Sequence, residues 1–107
     1  MPFLGPSDFK HKELAPGVTI RSTAGDRMTL TFFTFAPRSI IKEHKHPHEQ
    51  VGHVLEGGLE FVIGNEKKVV KAGDTYLIPS NVPHSAVALD TPTGVLDVFS
   101  PVREDYK

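Results

Sequence analysis

Apolar and polar positions alternate in short bursts along this chain, and glycine or proline cuts the bursts every few residues. No window repeats apolar residues at spacings of three and four, so no amphipathic helix is expected. β-branched and aromatic runs stand between the breakers instead, and these predict strands. The runs fall at 18–23, 27–36, 50–56, 59–63, 67–71, 74–78, 84–89 and 95–100. In 59–63, Leu59, Phe61 and Ile63 alternate with Glu60 and Val62, and Gly64-Asn65 then has the form of a hairpin turn into the next run. Residues 1–16 carry three prolines and read as an irregular N-terminal arm, while 101–107 read as a polar tail. Short strands at intervals of about 8–12 residues predict an all-β sandwich or barrel.

Composition narrows the class. A chain of 107 residues supports one domain, 1–107, with the arm included. Twelve basic and 13 acidic residues are interspersed, leaving no electrostatic footprint for nucleic acid. No apolar stretch approaches the roughly 20 residues of a membrane helix. The first residues lack a basic region followed by an apolar one, so no secretory signal is expected and a cytoplasmic location is the default. The absence of cysteine removes thiolate metal sites and thiol nucleophiles.

Histidine is the exception to this ordinary composition. Four of the six, His44, His46, His48 and His53, lie within ten residues. On a strand, His44 and His46 would share a face, and Gln50 keeps their parity, although Pro47 interrupts the ladder. Two imidazoles on one face, joined by His84 from far along the chain, make a natural metal-ligand set. His46 with His48 is a rival pair, and Glu49 a rival to Gln50; spacing does not decide between them. His53 has the opposite parity and is expected on the other face. Imidazole suits Ni, Zn, Fe and Cu, and an amide oxygen also admits Mn. Asp97 and Phe99 share a face in the otherwise apolar run 95–99, where a carboxylate is costly unless something pairs with it.

Here the residues resemble a known family. His44-Lys-His46-Pro-His-Glu-Gln50 followed by Gly57 resembles the first motif of the cupins, and Gly73, Pro79 and His84 resemble the second. The resemblance implies a small double-stranded β-helix barrel of jelly-roll type, a metal held by His44, His46, Gln50 and His84, and a homodimer. It places His48 and Glu49 between ligand positions. Gln50 stands where most cupins have glutamate, Asn81 where the second motif has glycine and Ala88 where it has asparagine. The closing run Asp97-Val-Phe99-Ser-Pro-Val-Arg103-Glu-Asp is similar to the KdgF group of cupins, which convert 4,5-unsaturated monouronates from pectin and alginate to linear 4-deoxy-5-keto uronates. That likeness implies a catalytic Asp97, Arg103 in catalysis and on the substrate carboxylate, and Phe99 against the sugar ring.

Overall fold

Inward and outward residues alternate along most of the strands, so that two sheets close over one shared interior. The coordinates are a computed structural model, which describes residues 2–106. Among these, the strands are β1 (Lys10–Ala15), β2 (Val18–Ala24), β3 (Thr29–Phe35), β4 (Ile40–His44), β5 (Glu49–Glu56), β6 (Gly58–Ile63), β7 (Glu66–Lys71), β8 (Thr75–Ile78), β9 (His84–Ala88) and β10 (Thr93–Ser100). One sheet has the order β1-β2-β3-β10-β5-β8, the other β4-β9-β6-β7, and all neighbours are antiparallel. This is the all-β jelly roll that the sequence leads one to expect. The helical content of the described residues is two single turns, and no helix is long and apolar enough to cross a membrane.

Two strands depart from the sequence reading. The segment expected to be irregular contains β1, which pairs with β2 of the same chain. Its sequence, Lys-His-Lys-Glu-Leu-Ala, hides the strand because four of its six residues are solvent-facing and polar, as is common on a sheet edge. β4 escapes notice for the same reason, since its only half-buried positions are Ile41 and His44.

Register divides the interior into two ends. At one end Ile20, Phe33, Val95 and Val54 form a cross-strand row, and with Phe35 and Leu59 they are almost wholly buried. Two residues further along each strand, the row becomes Ser22, Thr31, Asp97, Gly52 and Tyr76 across β2, β3, β10, β5 and β8. A polar layer therefore lies directly on an apolar floor. Its members are paired: the Ser22 and Thr31 hydroxyls lie 3.0 Å apart. That pairing offsets the cost of burying them.

The polar end is closed by the residues expected to form a tail. The Arg103 backbone N–H donates to Thr29 Oγ1 at 2.9 Å, and Glu104–Tyr106 makes a single helical turn. This seats the Tyr106 ring against Phe99 and Phe33, with centroids 5.4 and 6.2 Å away. A lone aromatic in a polar stretch is the only sequence sign of this lid.

Gly57 adopts a φ of +72° between β5 and β6, and an added Cβ would collide with the Pro92 carbonyl and Thr93 Oγ1. Both left-handed geometry and lack of space require glycine there. Gly57→Ala is expected to destabilise the fold by about 2–4 kcal/mol, read as a lowered urea midpoint at unchanged slope.

Candidate metal centre

β4 and β9 place His44 directly opposite His84 in register, with ring centroids 4.3 Å apart. His46 is not on β4 at all. It lies in the connection to β5, so strand parity is not what brings it beside His44. The loop before β9 pins that connection: Asn81 N–H donates to the His46 carbonyl at 2.8 Å, and Ser80 Oγ to the Pro47 carbonyl at 2.6 Å. Asn81 has a φ of +63°, which explains how asparagine serves where the cupin motif has glycine, since it tolerates left-handed backbone better than other side chains do. The His46 ring then meets His84 at 4.9 Å and His44 at 5.8 Å. One nitrogen from each imidazole lies within 4.8 Å of the other two.

The tautomers follow from the backbone. Nδ1 of His44 lies 2.9 Å from the Lys42 carbonyl, Nδ1 of His46 lies 3.0 Å from that of His48, and Nδ1 of His84 lies 2.8 Å from that of Val82. A carbonyl oxygen only accepts, so each Nδ1 donates and each Nε2 keeps its lone pair. Burial pushes the His84 imidazole down to about 4, and burial followed by the nearby Arg103 charge lowers that of His46, which favours the neutral, ligating form.

Gln50 completes the cluster from the opposite sheet. Its Nε2 donates to Asp97 Oδ2, which turns Oε1 towards His46 Nε2 at 3.1 Å. Two lone pairs face each other across that gap, an arrangement that calls for a cation. His84 Nε2 is likewise buried without a hydrogen-bond partner among the described residues. Three imidazoles and an amide oxygen, with an orphaned acceptor, fit a divalent transition metal. Glutamate at position 50 would set a second carboxylate against Asp97; the amide supplies a donor instead. His48 lends its backbone carbonyl to His46, while Glu49 is exposed at the start of β5. His53 points outward as expected, its Nδ1 2.8 Å from Thr75 Oγ1.

Asp97 is 1% exposed. Tyr76 Oη donates to its carboxylate, lying 2.8 and 3.0 Å from the two oxygens. Burial pushes the Asp97 carboxyl up to about 7, against the opposing pull of the Gln50 and Tyr76 hydrogen bonds. Arg103 crosses the pocket edge with its guanidinium 4.0 Å from the Tyr106 ring centroid and 5.2 Å from that of Phe99, and Nε donates to Asp105 at 3.0 Å. Phe99 has no exposed surface. It packs edge-on under His46 at 5.7 Å. Tyr76 and Gly52 are the site residues that the sequence reading missed.

Two cavities meet at His44, Ile41, Arg103 and Tyr106. The inner one, about 40 Å³, reaches Asp97, Gln50, Tyr76 and His84. The outer one, about 700 Å³, opens between β4 and the end of β1 and falls within the size range of small-molecule sites.

A jelly roll with a three-histidine cluster between its sheets defines a class, and a family model described as a cupin domain matches residues 31–99. The chain belongs to the cupin family. It is 35% identical over 97 residues to the pectin degradation protein KdgF of Dickeya dadantii, covering 89% of this chain and 88% of that one. The structure of KdgF from a Halomonas species superposes with a TM-score of 0.87 at 28% identity, covering 98% of this chain and 97% of the other. An RmlC-like cupin from Shewanella frigidimarina superposes at 0.90 with 27% identity, covering all of this chain and 96% of that one.

Proposed function

We propose that this cupin converts 4,5-unsaturated monouronates to linear 4-deoxy-5-keto uronates. One observation carries the reading most: a wholly buried carboxyl, Asp97, shares a cavity with the imidazole cluster and with Arg103. The likeness to KdgF along nearly the whole chain supports the same assignment. The reaction is an isomerisation. The bond from the anomeric carbon to the ring oxygen breaks, the anomeric hydroxyl gives up its proton to leave an aldehyde, and the ring oxygen becomes the C5 ketone as C4 gains a proton. No co-reactant is consumed.

The residues supply what that change requires. Arg103 faces both cavities and binds the substrate carboxylate, for which a planar guanidinium is well suited. Asp97 carries the proton between the sugar oxygen and C4. Gln50 holds Asp97 through its amide N–H, and Phe99 and Tyr106 fix the Arg103 side chain from behind. His44, His46, His84 and Gln50 would hold a metal, which would supply Lewis-acid chemistry at the site.

The substrate's double bond absorbs in the ultraviolet, so the reaction can be followed directly. Metal-loaded protein is expected to speed decay of that band with no oxygen uptake, and chelation is expected to stop it. Oxygen consumption, or tight binding with a persistent band, contradicts the proposal.

A further inference from the structure

The Asp97 carboxylate is held by two partners, and only one of them belongs to the metal cluster. The other, Tyr76, reaches it from two strands away. In the polar row, β10 carries Asp97, β5 carries Gly52 and β8 carries Tyr76, all on the inner face. Any side chain at position 52 would stand between the other two. A Cβ built on Gly52 collides with Tyr76 Cζ and with its hydroxyl oxygen. The missing side chain lets the phenol lie across β5 and put its hydroxyl on both carboxylate oxygens. Phe61 backs the ring with a centroid distance of 4.5 Å and fixes its direction.

We propose that Tyr76, admitted by Gly52, is a positioning residue for Asp97. A carboxylate hydrogen-bonded only by Gln50, at Oδ2, keeps freedom to turn about its last side-chain bond. The phenol bridging both oxygens removes that freedom and fixes which lone pairs face the cavity. The inference rests on the reading of Asp97 as the proton carrier. A tyrosine serving packing alone would lose nothing as phenylalanine, because the ring against Phe61 would be unchanged.

Tyr76→Phe is therefore the test, with turnover, metal content and the carboxyl carbon-13 resonance of Asp97 measured together. The variant is expected to bind metal as the wild type does and to shift the Asp97 resonance. Its kcat should fall about 10- to 100-fold, the loss expected from a misplaced reacting group, with KM changed by less than about twofold. Unchanged kcat overturns the inference, and so does a rise in KM alone, which would make Tyr76 a substrate contact. If wild-type protein leaves unsaturated uronates untouched, the proposed reaction fails by itself. The resonance then still decides: left unmoved by Tyr76→Phe, it overturns the positioning role. Gly52→Ala, checked for folding by circular dichroism, should shift the same resonance by displacing the ring.

Discussion

Asp97→Asn is expected to lower turnover of an unsaturated uronate by about a thousandfold while leaving bound metal near the wild-type level. The amide has nearly the shape of the carboxyl, and with its oxygen at the Oδ2 position it accepts from both Tyr76 Oη and Gln50 Nε2, so the donors around it stay satisfied. What it cannot do is carry a proton, and general acid–base groups contribute roughly 10²–10⁴ in rate. Initial rates at saturating substrate, with metal measured in the same sample, separate this role from a structural one. Parallel loss of metal would make Asp97 a support for Gln50 instead of a proton carrier.

The same substitution has a thermodynamic signature in metal-free protein. Burial raises the folded-state carboxyl from an ordinary 3.8 to about 7. Between those values the folded state binds a proton that the unfolded state has released. The wild type's stability is therefore fully present below about pH 4 and declines as pH rises through about 7. Asparagine carries no such penalty. Metal-free Asp97→Asn should be the more stable protein at pH 8, by up to about 4 kcal/mol, with the difference shrinking towards pH 4. Urea midpoints at the two pH values measure this. A wild type more stable than the variant at pH 8 would show that the carboxylate is well solvated or paired in the fold.

His84→Ala is expected to weaken metal binding by at least about 100-fold, since changes even to groups behind the ligands cost 10–100-fold. His84 is buried, its Nδ1 is committed to Val82, and its Nε2 has no partner among the described residues. A ligand that binds only the folded state raises stability by about 2.7 kcal/mol at 100 times its dissociation constant. Adding Zn²⁺ or Ni²⁺ at that level should raise the wild-type melting temperature and leave that of His84→Ala almost unmoved. An equal rise in both proteins would place the ion elsewhere.

The strands that the sequence reveals are those with one face on the core. In β2, β3, β5 and β10 buried and more exposed positions alternate, but the chain marks these strands by β-branched and aromatic runs between glycine and proline breakers, since Leu30, Phe32, Val51, Leu55, Leu96 and Val98 occupy the more exposed positions. β1 and β4 are mostly exposed, with only Leu14 and Ala15 of the first and Ile41 and His44 of the second half-buried, so neither shows a buried face in its sequence. The histidines are conspicuous by number, and the structure does gather His44, His46 and His84, but for a reason that spacing misses. His44 meets His84 through strand register, and His46 arrives through a loop pinned by Asn81 and Ser80. Tyr76 and Gly52 lie outside any local pattern. Their significance exists only once β5 lies between β8 and β10, and no property of either residue in isolation marks it.

The most direct measurement is anomalous diffraction from crystals of metal-loaded protein, collected at the absorption edge of the metal found by elemental analysis. A single peak is expected per chain, about 2.0–2.3 Å from Nε2 of His44, His46 and His84 and from Oε1 of Gln50. No peak there, or a metal held by His48 or Glu49 with His84 Nε2 left empty, would contradict the assignment of this cluster as the metal centre.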